Sequence, residues 1–296
     1  MKNILIIGGL YIDAFADISS DLRIGETIST RAFNSSVGGA GLLAMAVSKL
    51  NGGSHILGAV GNDDFGKVIS IRLEEMGVNT SGLVRCEAHT GVRTHIRQAY
   101  GKTIIEESGA NKKFSVHMVD DNRHLFETAD FVIIQPDIPP TALLYAVKLA
   151  KACGCRVLLN PYSDIKLPDS LYNYIDIIIC NEREAQYLAR TNDTDKALRL
   201  LKSFGPEQVI ITLGSKGCIY NVYGNKAKCP AFTNRTVDRN GVGAAFVAAY
   251  STIATDKHHE NDSVEFASLV ASITVSGKGG IESIPETEEI MKRINS

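Results

Sequence analysis

Residues 175–188 read IDIIICNEREAQYL: an apolar, β-branched strand pattern runs directly into Asn181-Glu182-Arg183-Glu184 and on into a helical pattern. A short buried strand that turns at once into a helix is the repeating unit of a parallel α/β sheet. Working outward, the same change of period recurs along the chain. Residues 4–7, 56–60, 131–134, 157–159, 175–179 and 209–212 are short, apolar and β-branched, and predict buried strands. Residues 41–50, 65–75, 141–152, 184–189 and 194–204 carry helical spacing between them. Helices at 242–254 and 263–276, and a closing helix after Pro285, complete the last third. The alternation predicts an α/β fold: a mainly parallel sheet with helices on both faces.

Two segments break that rhythm. Residues 25–35 (GETISTRAFNS) and 91–107 (GVRTHIRQAYGKTIIEE) are threonine-rich and partly alternating, with a turn expected at Tyr100-Gly101-Lys102. They read either as a small separate sheet or as edge strands of the main one. A half-exposed sheet needs a cover, from substrate or a second subunit.

Composition narrows the class. A chain of 296 residues with 44% hydrophobic residues can build one large core. A formal net charge of -2 gives no bulk attraction for nucleic acid or membrane. The N-terminal apolar run is too short for a signal peptide, and no stretch approaches the ~20 apolar residues of a membrane span. The six cysteines are scattered, and Cys153-Gly154-Cys155 reads as reduced thiols entering a strand rather than a metal or redox pair. His258-His259 reads as a solvated turn; His95 faces either ligand or solvent. A soluble cytoplasmic protein is expected.

Three motifs carry chemistry. In 236–250, TVDRNGVGAAFVAAY, Gly241 and Gly243 sit where a loop enters an apolar helix. Glycine lets backbone N–H groups converge, and the helix N-terminus adds positive potential, so phosphate fits there, as does an ordinary tight turn. Asn181 and Glu184 could hold a hydrated Mg²⁺ beside a phosphate, or simply cap a helix; locally the cap is the stronger reading. Residues 211–217, ITLGSKG, form another strand with a Gly-punctuated turn. Each motif falls at the carboxyl end of a strand, where open α/β sheets bind ligands.

The order GGLYID (8–13), GETI (25–28), VGGAG (37–41), VGNDDFG (60–66), TGV (90–92), SGAN (108–111), QPDIP (135–139), NPYSDIKLPD (160–169), IDIIICNEREAQYL (175–188), ITLGSKG (211–217), VDRNGVGAAF (237–246) and SGKGGIESIP (276–285) resembles the ribokinase, or phosphofructokinase-B, family of ATP-dependent carbohydrate kinases from end to end. The resemblance implies a single α/β/α domain over 1–296, with lid strands inserted at about 10–37 and 91–108. It implies ATP, Mg²⁺ and K⁺ as cofactors, and a homodimer formed through the lid. Asp13 matches the acceptor of a sugar hydroxyl, and Gly38 and Gly39 match the glycines packed against the sugar. Asn181 and Glu184 match residues near Mg²⁺ and the phosphates; Thr212, Gly214 and Gly217 match the nucleotide side. Gly241, Val242 and Gly243 match the backbone anion hole. Asp238, Asn240, Thr274, Gly277, Gly279 and Ser283 match the loops around the monovalent cation.

The chain also departs from the pattern. Ala244 stands where the family keeps the aspartate that takes the proton from the attacking hydroxyl. A positioned base is typically worth ~10²–10⁴ in rate, whereas positioning, metal and anion hole remain. An inactivated variant, a natural non-catalytic relative, or substitution by another carboxylate such as Asp238 would each account for it. Tyr11 and Leu43 replace two amides the family uses on the sugar side, which implies a less polar pocket and an acceptor with an aromatic or apolar part, such as a nucleoside. Two rival functions are a sugar or nucleoside sensor without turnover, and a dinucleotide-dependent oxidoreductase. Gly8-Gly9-Leu10-Tyr11-Ile12-Asp13 is not Gly-x-Gly-x-x-Gly, which weighs against the latter.

Overall fold

The computed structural model describes residues 2–98, 101–162, 165–222, 224–232, 235–254 and 260–294. Tyr100 of the expected turn and the His258-His259 pair lie outside the described residues.

The core is a nine-stranded sheet. Strand β1 (Asn3–Ile7) lies between β8 (Phe131–Ile134) and β4 (Gly53–Gly61), all parallel. β5 (Asn79–Cys86) flanks β4, and β9 (Arg156–Leu159), β10 (Ile177–Asn181) and β11 (Gln208–Thr212) continue the parallel series on the other side. An antiparallel hairpin, β12 (Cys218–Val222) and β13 (Asn225–Cys229), closes that edge. The continuous apolar runs have a simple cause: both faces are covered. In β1, Ile4 and Ile6 enter one core cluster while Leu5 and Ile7 enter the other, and all four are fully buried.

Helices α1 (Ala40–Lys49), α8 (Val242–Ile253) and α9 (Glu260–Thr274) pack on the first face. Helices α5 (Pro140–Ala152), α6 (Glu182–Ala189) and α7 (Thr194–Ser203) cover the second. Helix α2 (Asp64–Glu75) sets Ile69 and Leu73 into the first cluster, and α10 (Thr287–Ile294) adds Ile290. The short helices α3 (Val116–Asp121) and α4 (Arg123–Glu127) precede β8.

A separate four-stranded sheet, in the order β3-β2-β6-β7, forms the lid. Its strands are β2 (Leu10–Asp17), β3 (Ala32–Gly39), β6 (Gly91–Gln98) and β7 (Gly101–Glu107). The separate-sheet reading of the two irregular segments therefore holds, and the edge-strand reading does not. Residues 26–31, however, form no strand; Gly25 turns with φ +81° and pairing starts only at Ala32. The strand expected at 175–179 begins two residues later, just after Asp176, whose carboxylate accepts from the Val157 amide (2.7 Å) and the Lys151 ammonium (2.8 Å). β5, β12, β13, α3 and α4 were not predicted. β13 is mostly exposed and reads NKAKC, a polar edge with no apolar run to mark it.

Candidate functional site

Helix α8 begins at Gly241, whose φ of +85° only glycine adopts easily, and whose missing Cβ lets the Gly280 carbonyl approach. No side chain caps this end. The N–H groups of Val242, Gly243 and Ala244 precede the first intrahelical bond, which runs from the Ala245 amide to the Gly241 carbonyl (2.8 Å). A Cβ on Gly243 would meet nothing within 4 Å, so the first turn is open. Unshielded amides and the helix dipole together favour an anion. Ala244 is partly buried and packs against the first core cluster.

Val242 and Gly243 line a cleft of about 280 Å³ together with Thr212, Gly214 and Gly217. The structure thus gathers five expected nucleotide and anion-hole residues around one space. Gly214 (φ +61°) leaves its side of the cleft open, and Gly217 (φ +83°) lets the Cys229 carbonyl come to where a Cβ would sit, 2.0 Å away. Sequence reading missed Arg239, Ser268, Ala271 and Ser272, which line the same cleft. The last three recur at i, i+3 and i+4 on α9, a small-residue face that periodicity could have exposed.

Asn181 and Glu184 form a reciprocal capping box at the start of α6: the Asn181 Oδ1 accepts from the Glu184 amide, and Glu184 Oε2 accepts from the Asn181 amide, both at 2.9 Å. The cap reading is therefore met in full. Both residues stand at the carboxyl end of β10, beside Thr212 across the ladder, but outside the cleft lining.

The loops proposed for a monovalent cation do come together. The Asp238 amide donates to the Val275 carbonyl, and the Gly280 amide to the Asn240 carbonyl (3.1 Å). Gly279 (φ +59°) lies against the Asp238 carboxylate, Gly277 packs on Ser283, and Ser283 Oγ donates to the Gly280 carbonyl (2.8 Å). Thr274 is fully buried, its hydroxyl donating to Val270 within α9. Carbonyl and carboxylate oxygens suit a hard cation. Among the described residues no group of three or more His, Cys, Asp or Glu is gathered to hold a metal, and no helix is long and apolar enough to cross a membrane. Asp238 is already committed: its Oδ1 accepts from the Asn240 amide (2.9 Å) and its Oδ2 faces Arg97 Nη1 (3.5 Å).

The underside of the lid faces this region. Cross-strand partners share a face, so Arg93, His95 and Arg97 of β6 lie beside Asp13, Phe15 and Asp17 of β2. Asp13 is 7% exposed and rests on Gly38, where a Cβ would fall 2.1 Å from Oδ2. Gly39 (φ +60°) then admits the Gly9 carbonyl at the start of α1. Arg93 is 2% exposed, sandwiched between the rings of Tyr11 (3.4 Å) and Tyr162 (3.9 Å). It pairs with Asp137 (2.9 Å) and Glu106 (2.8 Å), and Asp137 Oδ1 also accepts from the Gly9 amide. Burial works against the Arg93 charge, but Asp137 and the surrounding acidic groups hold its proton more firmly than usual. Burial pushes the Tyr11 phenol up, and the Tyr162 phenol to about 12. Leu43, by contrast, is fully buried among core residues and reaches no described cavity. Arg93, Glu106 and Asp137 were not singled out as site residues, and His95 was left between ligand and solvent, although R-x-H-x-R has the period of a strand face.

A large, mainly parallel sheet covered by helices, with a small separate sheet, is the ribokinase-like α/β fold. The chain belongs to the pfkB family of carbohydrate kinases, whose sequence pattern matches residues 1–287. It is 32% identical to a ribokinase of Schizosaccharomyces pombe, over 98% of this chain and 97% of that one. It is 28% identical to a deoxyribokinase of Salmonella typhi, over 97% of both. The solved structure of Arabidopsis thaliana ribokinase complexed with ribose and ATP superposes with a TM-score of 0.90 at 27% identity, covering both chains completely.

Proposed function

We propose that this chain is built, as one domain, to transfer the γ-phosphoryl group of ATP to a hydroxymethyl group of a sugar or nucleoside. The acceptor oxygen forms the new bond to phosphorus, the bond to the β-phosphate oxygen breaks, and the hydroxyl proton must leave. The observation that carries this reading is the uncapped, open first turn of α8 at the cleft, with the lid and its Asp13 carboxylate on the acceptor side. The relative solved with ribose and ATP is consistent with it. ATP would lie along Thr212, Gly214 and Gly217, with Mg²⁺ supplying charge neutralisation near Asn181 and Glu184. K⁺ would sit in the loops of Asp238 and Gly279. The exposed outer lid residues Phe33 and Ile105 would meet a second copy.

Ala244 provides no proton acceptor at the α8 N-terminus, so positioning and charge remain while the base is missing. A coupled ADP-release assay with ATP, Mg²⁺ and a panel of pentoses, hexoses and nucleosides tests this. Ala244→Asp is expected to raise kcat by ~10²–10⁴ over the parent chain. The second reading is a sensor that binds without turnover; it rests on the same Ala244, and no turnover in either protein would favour it.

A further inference from the structure

Beneath the lid, Asp13 Oδ1 and His95 Nε2 are both buried with no hydrogen-bond partner among the described residues, as is the Tyr11 hydroxyl. Asp13 Oδ1 and His95 Nε2 lie 3.4 Å apart, close enough to attract but outside hydrogen-bond alignment, and both side chains are about nine-tenths buried. A buried polar atom left unmatched is costly, and native folds rarely keep two side by side. Neither group is free to swing away. The Asp13 carboxylate is wedged on Gly38, and the His95 ring stacks on Phe15 with centroids 4.6 Å apart and planes at 22°. The tautomer follows from the neighbour. An unprotonated Nε2 would set two acceptors against each other, so Nε2 carries the hydrogen.

A donor with no aligned acceptor beside an acceptor with no donor defines what is missing. A hydroxyl about 2.8 Å from each would donate to Asp13 Oδ1 and accept from His95 Nε2–H. An alcohol or water oxygen would match both atoms chemically; an aliphatic or aromatic ligand edge leaves both unmatched. The adjacent Arg93 cannot take over this role, because its two faces are stacked and it is paired with Asp137 and Glu106.

We propose that His95 is a specificity-determining contact of the acceptor site, reading one sugar hydroxyl jointly with Asp13. This rests on the acceptor site proposed above and makes an alcohol at that point obligatory.

Calorimetric titration separates the inference from the reading beneath it. D-ribose, 2-deoxy-D-ribose and adenosine are titrated into the parent chain, Asp13→Asn, His95→Phe and His95→Gln, each with a non-hydrolysable ATP analogue and Mg²⁺. His95→Phe keeps the stack on Phe15 and removes the donor. It is expected to weaken the best-bound member of the panel at least tenfold with an unchanged melting temperature, and His95→Gln to recover most of that loss. Equal affinity in the parent chain and His95→Phe, while Asp13→Asn fails to bind, overturns the His95 assignment alone. Undiminished binding by Asp13→Asn, or no binding of any member by the parent chain, overturns the acceptor site and the assignment with it. A drop in melting temperature for both His95 variants without rescue by glutamine assigns His95 a structural role and also overturns the proposal.

Discussion

At residue scale, the proposed acceptor side depends on atoms that are absent. Gly38 carries no Cβ, and the Asp13 carboxylate occupies that space. Gly38→Ala would place a methyl group inside van der Waals contact of a buried carboxylate with nowhere to move, since the other carboxylate oxygen faces His95. Overpacking of this kind typically costs about 1–3 kcal/mol. The expected outcome is a loss of that order in denaturant unfolding, with acceptor binding reduced more than nucleotide binding in paired titrations. Equal losses for the two ligands would contradict the placement of Asp13 on the acceptor side. The glycine pair was singled out in sequence through the family resemblance. The reason for the first glycine was not legible, because it lies in a carboxylate 25 positions away in the chain.

At element scale, Asp63 ties helix α2 to the start of β6. Its carboxylate caps α2 by accepting from the Gly66 amide (2.9 Å) and accepts from the amide (2.8 Å) and hydroxyl (2.6 Å) of Thr90, just ahead of β6. Burial acts to raise its pKa, but the Thr90 and Gly66 bonds outweigh it and hold the carboxyl below its ordinary value. A depressed carboxyl contributes stability that is present above its unfolded pKa and is lost as pH falls through the folded one. The parent chain should therefore lose melting temperature below about pH 4 more steeply than Asp63→Asn. The variant should be less stable at pH 7 by about 1–3 kcal/mol, because its amide nitrogen cannot accept from Thr90. Parallel melting curves for the two proteins across that range would refute the assignment. Here the sequence was readable in part: a short polar run before a helical pattern marks a cap, and α2 starts within one residue of the prediction. Its second partner, Thr90, is a tertiary contact that no local pattern announces.

At the scale of the whole molecule, the lid is tied to the body by two guanidinium groups. Arg93 reaches Asp137 in the loop after β8, and Arg97 pairs with Asp17 (2.6 Å) and faces Asp238 ahead of α8. Arg97 is a third exposed and its pairs are screened, so they contribute little. Arg93 is enclosed, and removing one partner of a buried pair strands the other charge, at a cost of about 3–5 kcal/mol. Arg93→Met should show a loss of that size in urea unfolding. Adding Asp137→Asn should recover part of it, because the stranded carboxylate is gone. Strictly additive losses would mean that the two groups do not couple.

The alternation of apolar runs and helical spacing determined, without any coordinates, that this chain forms a parallel sheet covered on both faces. A strand buried on two sides must be apolar along its whole length, and that requirement is written locally. The Gly-punctuated strand ends were legible for the same reason, since backbone turns select glycine residue by residue. Only the tertiary structure decided that Leu43 enters the core, that Arg93 and His95 flank Asp13, and that Asp137 pairs with Arg93. Those outcomes depend on packing between segments far apart in the chain, where charge pairing and enclosed volume act.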